Sequence, residues 1–560
     1  MNARLRSFEN VIPAMRIMRT FAGLLIVVLS CGASVGAQEQ HHHVLAPEEI
    51  GSVHFSTSCA QTAADDFNRA IAVLHSFQYE QVREAFDAIT RKDPQCAMAQ
   101  WGVAMSYYHG LWDNGDMAAG RVALKKAQEI AAANPKTTRR EKAYIDALAE
   151  IYREDGKDTA VHAKAFEQKM GEVQAAYPED SEAAIFHALT LAITAPKTDK
   201  TFANQRKCGE ILEPIFQKQP HHPGIAHYII HCYDNPVLAE KGLYAARMYA
   251  KIAPASAHAN HMPSHIFTRV GSWEESIHSN LKSADIAARA EPSSRNGEAR
   301  DQRLHALDYL EYAYLQGGRS RQAAAVVEEM DSLKPVSGLT HTGDYALAAI
   351  PARYAIELGN WGEASGLKVR EEGVPWAQAI TWAAVGVGSA RAGHPDRAAQ
   401  AVQSIASLRD ATVKQNNTYW SNQIEVQRRE VTAWIAEKSG NGTDAIAAMQ
   451  SAAELEETMD KNAVTPGAIT PAREMLADLL LLEKQPQAAL VNYEAVLKVA
   501  PNRFNALYGA AGAAEAAGNP SLATRYFRRL TQTAAGSERP ELETARRKIS
   551  ASGEAGAASR

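Results

Sequence analysis

Apolar positions recur with a helical period from about residue 61 onward, and no stretch alternates between turns as a strand would. Residues 472–530, "AREMLADLLLLEKQPQAALVNYEAVLKVAPNRFNALYGAAGAAEAAGNPSLATRYFRRL", show the pattern twice. Ala477, Ala489 and Tyr493 return as Ala511, Ala523 and Phe527, each 34 residues on. A small residue lets two helices approach, an aromatic fills the gap between them, and Pro501 stops the second helix. Units of this kind bury their apolar stripe only against neighbouring units, so the pattern predicts an all-α solenoid of stacked helical hairpins.

The small–aromatic–proline spacing of Ala489, Tyr493 and Pro501 resembles the tetratricopeptide (TPR) family. The resemblance implies a right-handed superhelix of about eleven hairpins. The first helix of each pair would line a concave groove in which a protein or peptide partner binds. The frame runs back through Phe86, Ile89 and Pro94, through Ala123, Ala127 and Pro135, and through Pro178, Pro220, Pro254 and Pro335. Gly359–Trp361–Ala364 and Gly393–Ala398 mark two further turns. The interval from Pro254 to Pro335 exceeds the period, and "ARAEPSSRNGEARD" near 288–301 reads as a polar insertion. The resulting map is a secretory signal at 1–37, a polar lead-in at 38–60, a histidine-rich N-terminal array at 61–335, a C-terminal array at 336–548 and a disordered tail at 549–560.

The leader follows from Arg16 and Arg19 ahead of "FAGLLIVVLS" and the small residues ending at Ala37, the order of an export signal. That apolar run is too short for a stable membrane anchor. A second reading of "VLSC" makes Cys31 the lipidated residue of a lipoprotein, which would tie the chain to a membrane. The leader holds four Arg and one Glu, leaving 55 basic against 63 acidic residues and a charge of −8. With no basic run, nucleic acid is not an expected partner. Four cysteines remain after cleavage. In a linear array only neighbours meet, which favours Cys59–Cys96 and Cys208–Cys232, with reduced thiols as the alternative.

Candidate chemistry lies in the histidines. "HHPGIAHYIIHCYD" and "HANHMPSHIF" place His227 and His231, then His261 and His265, four apart, and the two pairs 34 apart. Within the repeat frame, His258, Asp234, His305 and Asp308 fall on the same groove-facing side of three successive first helices. Imidazoles four apart on a helix can share an ion, and a neighbouring helix can add a donor. His227, His231, Asp234, His258, His261, His265, His305 and Asp308 are therefore the candidate metal ligands. A nitrogen/oxygen set of this kind suits Zn, Cu, Fe, Ni or Mn. "CAMAQWGVAM", these two histidine blocks and "HALDYLEYAYLQGGR" together resemble exported bacterial TPR proteins of unassigned function.

The other histidines have plainer readings: His41–His43 as a flexible run, and His221 and His222 as solvated loop residues. Trp101, Trp112, Trp273 and Trp361 read as packing, and Tyr107 and Tyr108 as core or groove edge. No HExxH, Walker loop, GxSxG or CxxC is present. An enzyme is thus less expected than a partner-binding scaffold. A metal store or metalloenzyme built on the same histidines is the alternative. A hydrolase would need Asp234, Asp308 or Glu311 as its base.

Overall fold

The computed structural model describes residues 46–558 except 112–114, 157, 295–296 and 335–338. The leader, Cys31, His41–His43, Trp112 and Pro335 lie outside the described residues. Among the described residues there is no strand. The helices pair into twelve hairpins, from Ala64–His75 with Tyr79–Lys92 to Phe504–Ala516 with Pro520–Thr533, if Ala257–His261 and Pro263–Val270 count as one broken helix. A last helix, Pro540–Ala558, runs on through the segment expected to be a disordered tail. Its Ala, Glu, Arg and Lys content favours a helix, and Leu542 and Ala545 bury its first turns against the last hairpin.

The punctuation is physical. Second helices stop at Ala176, Lys218, Ile252 and Val499, two residues before Pro178, Pro220, Pro254 and Pro501. The intervening residues Tyr177, Gln219, Ala253 and Ala500 share φ values of −127° to −130° and ψ values of 63° to 74°. A following proline forbids helical backbone there. Between helices, close approach is enforced: a Cβ on Gly509 would stand 2.4 Å from the Tyr493 ring, and one on Gly102 would stand 2.4 Å from that of Phe86. Ala477, Ala489, Ala511 and Ala523 are buried with Tyr493 and Phe527.

Three expectations change. The lead-in is ordered from Ala46 and partly apolar: Ile50 and Phe55 are buried, and Ser52 N–H donates to the His221 carbonyl at 3.0 Å. The supposed insertion near 288–301 is helix at both ends, since Trp273–Ala290 ends and Glu298–Gln316 begins inside it, and Asp301 accepts from Thr340 and Gly343 N–H groups. The third concerns the two arrays, which touch across a long sequence separation. Trp273 Nε1 donates to the Asn502 carbonyl at 3.0 Å, and Phe504 N–H donates to Gln316 Oε1 at 3.0 Å. Disulfides Cys59–Cys96 and Cys208–Cys232 pin the N-terminal array, with Cα separations of 4.7 and 6.0 Å.

Arg503 adjoins this junction and ties the C-terminal array together. Fully buried, it donates from Nε to Glu474 at 2.6 Å and also pairs with Glu357, three hairpins of that array meeting at one guanidinium. Removing one partner of a buried ion pair leaves unpaired charge behind. Arg503→Met is expected to cost about 3–5 kcal/mol in urea unfolding at neutral pH. A change below about 0.5 kcal/mol, the range of an ordinary surface substitution, would show that the C-terminal array does not depend on it.

Candidate metal centre

Three first helices build the site. Pro223–Tyr233 starts on a proline, whose fixed φ suits the first helical turn, and carries His227 and His231 one turn apart. The next first helix breaks at Met262, because Pro263 has no N–H to donate, and it carries His258, His261 and His265. Glu298–Gln316 carries His305, Asp308 and Tyr309. His227, His258, His261, His265 and His305 are all at most 6% exposed.

The six histidines form two adjacent triads, His227–His231–His258 and His261–His265–His305, each with one donor atom per residue within 4.8 Å of the others. In the first, His227 Nε2 stands 3.0 Å from both His231 Nε2 and His258 Nε2. In the second, His261 Nε2 and His265 Nε2 are 3.0 Å apart, and the His261 and His305 rings are 4.2 Å apart. Between triads, the His231–His265 and His258–His261 ring centres are 6.3 Å apart.

Hydrogen bonds on the far side of the rings fix the tautomers. His227 Nδ1 donates to the His75 carbonyl at 2.6 Å, since a carbonyl can only accept. His261 Nδ1 faces Asn280 Oδ1 at 2.7 Å, and the amide nitrogen of Asn280 already donates to the Ser276 carbonyl, so the ring nitrogen is the donor. His265 Nδ1 donates to Asp234 Oδ2 at 2.9 Å. A neutral imidazole protonated at Nδ1 carries a lone pair at Nε2. The lone pairs of His261 and His265 therefore face each other at 3.0 Å, an arrangement that calls for a cation between them. Two nitrogens 2.0–2.1 Å from one ion stand about 3 Å apart when they subtend about 95°. His305 Nδ1 is buried without a hydrogen-bond partner.

A proton is a poor cation here. Burial, reinforced by the neighbouring imidazoles, holds His227, His231, His258 and His305 well below the ordinary histidine pKa. Burial and His265 do the same to His261. His265 is lowered by burial, against the opposing pull of Asp234. Asp234 stays ionised: burial would raise it, but Lys461 and Arg269 hold it well below the usual carboxylate range. Arg269 Nε donates to it at 2.8 Å and Lys461 Nζ at 2.7 Å. Burial brings Lys461 down to about 8, with Asp234 opposing.

Of the eight candidate ligands, the six histidines converge and the two aspartates stand behind them. Asp234 orients His265, as a carboxylate behind a metal-binding imidazole does. Asp308 points to Arg353 at 2.7 Å, which also holds Glu311 at 2.8 Å. His222, expected to be solvated, is 1% exposed and bonds Glu182 Oε1 at 2.7 Å, while His75 Nε2 holds the other oxygen at 3.0 Å. Trp101 and Trp273 are buried as expected, and Trp361 is half-buried.

Lys461, Asp460, Tyr309 and Asn280 were not read from the sequence as part of the site. Residues 460–467 lie across the triads: Tyr309 OH donates to the Thr465 carbonyl, and Asp460 pairs with Arg269. The one available signal was "MDKNAVTPGAITP", an irregular interruption of the repeat. Arg269, four residues after His265, shares its helix face.

No protein-family description matches the chain, and no curated protein does. Solved helical-repeat structures resemble it weakly. The human IFIT1 dimer with PPP-AAAA is 13% identical over 83% of this chain and 89% of that one, with a TM-score of 0.35. Yeast Tom70 is 11% identical over 72% and 95%, with a TM-score of 0.31. The APC/C hetero-tetramer Cut9–Hcn1 is 11% identical over 87% and 96%, with a TM-score of 0.26. By its own helices, this chain is an all-α superhelical repeat protein.

A histidine whose folded pKa lies below its unfolded value of about 6.5 takes up a proton on unfolding, so stability rises with pH across that window. Metal-free protein is expected to lose stability as pH falls below about 6.5, by up to about 1.4 kcal/mol per pH unit for each such histidine. Urea midpoints measured against pH, beside a His227→Gln/His261→Gln variant with a shallower slope, read this out. Identical slopes would mean that the rings titrate as they do in water.

Proposed function

We propose that this chain is a metal-binding protein whose solenoid encloses a paired transition-metal centre, one ion per histidine triad. The observation that carries the reading is the facing pair of lone pairs on His261 and His265, whose tautomers are set by Asn280 and Asp234. Imidazole donors favour Cu, Zn, Fe or Ni over the oxygen-preferring Mn. Three protein ligands per ion leave a coordination position open, as in sites that bind or activate a small molecule. A hydrolytic role is less supported, because Asp234, Asp308 and Glu311 are each committed to arginine or lysine.

The same reading places the protein outside the cytoplasm. The leader at 1–37 and the two disulfides support export, since disulfides persist in oxidising compartments. A protein or peptide partner, the other function a repeat scaffold suggests, would have to use surfaces other than the histidine floor, which residues 460–467 cover.

Metal analysis of the mature chain, purified without a histidine tag, is expected to find one ion per triad. His227→Gln and His261→Gln should each lower the content, the double variant should remove both ions, and added metal should raise the wild-type melting temperature. A folded wild-type protein that holds no transition metal after incubation with Cu, Zn, Fe or Ni salts would overturn the proposal.

A further inference from the structure

Beside the first triad lies a cavity of about 20 Å³, walled chiefly by Leu74, Met105, Phe166, Phe186, Leu189 and Ile193. That volume suits a single small guest, and so apolar a lining offers a water few of the hydrogen-bond partners it needs. Polar groups on its wall have partners elsewhere: Thr190 Oγ1 donates to the His187 carbonyl and Tyr228 OH bonds His75 Nδ1. Two rings stand between the cavity and the histidines: Tyr228, 5.3 Å from His227 centre to centre, and Phe77. Phe77 lines it and sits 4.4 Å from His227, 5.7 Å from His258 and 6.0 Å from His231, centre to centre. Phe77 has φ +53°, the left-handed region that a bulky residue avoids. The fold therefore tolerates backbone strain at one of the two residues that divide cavity from triad.

The charge around the triads selects the ion. All six donors are neutral imidazoles, and the charged neighbours Asp234 and Asp460 are matched by Arg269 and Lys461. With no thiolate or carboxylate among the donors, the ligand shell itself brings no negative charge to offset two divalent ions in a buried site. A monovalent ion is the least costly occupant, and of the metals that imidazole suits, copper is the one with a stable monovalent state.

Building on the paired-metal reading, we infer that the six histidines hold two Cu(I) ions that bind dioxygen, which arrives through the apolar cavity behind Phe77. Each copper gives one electron, dioxygen becomes a bound peroxide dianion with its O–O single bond intact, and no proton is required. The dianion offsets the two positive charges that appear as the coppers become divalent, so a neutral ligand shell suits both ends of the step.

The test loads metal-free mature protein with Cu(I) anaerobically and mixes it with aerated buffer. A peroxide-to-copper absorption band in the near ultraviolet and uptake of one dioxygen per copper pair are expected. Leu74→Phe and Leu189→Phe fill the cavity without touching the histidines. Each should leave copper content and band amplitude unchanged while slowing the band's appearance by about tenfold or more. If circular dichroism shows that one variant does not fold, the other decides. Copper bound in both triads without band or uptake would overturn this inference and leave the metal centre standing. Failure to bind any transition metal would overturn the metal centre itself. Unchanged rates in the folded cavity variants would remove the cavity from the route.

Discussion

Asp234 is the point at which this molecule is tied together. One carboxylate accepts from His265 in the neighbouring repeat, from Arg269 a turn further along, and from Lys461 in the C-terminal array. Each bond has a different consequence. The first sets which nitrogen of His265 carries the proton, the second fixes the kinked helix after Pro263, and the third brings residues 460–467 down over the histidines. A buried carboxylate without these cations would be protonated, the tautomer would be free to reverse, and the facing lone pairs would no longer be enforced.

The repeat made most of this legible. Ala477–Ala489–Tyr493 and the terminal prolines fixed where helices start, stop and touch, because backbone sterics and side-chain volume act over a few residues and leave a mark at fixed spacing. The 34-residue echo of His227 and His231 in His261 and His265 put them on one face for the same reason. Asp234 and Asp308 satisfied the same frame and still supply no donor to either triad, Asp234 standing behind His265 and Asp308 pairing with Arg353. The frame gives direction but not reach, and Arg269 and Arg353 lie nearer to their carboxylates. Lys461 and Asn280 could not be found this way. Their contacts depend on how one part of the superhelix meets another, which no local spacing records.

His222 shows the opposite failure. A polar residue before a proline in a connecting loop reads as solvated, yet Glu182 needs a second partner in the core and His222 supplies it alongside His75. That buried trio sits directly behind the first triad, since the carbonyl of His75 receives the Nδ1 proton of His227. Support for the histidines thus reaches back to the first hairpin, while their cover comes from the tenth and eleventh.

The roof over the histidines has an order in time as well as in space. Lys461 lies 152 residues beyond Tyr309, so a chain made from its N-terminus completes both triads long before their cover exists. Contacts at such separation form late because a long loop must first close. Until those contacts form, the histidine floor lacks its cover. Once Lys461 docks on Asp234, the same contact that fixes the carboxylate also closes the histidines off from solvent.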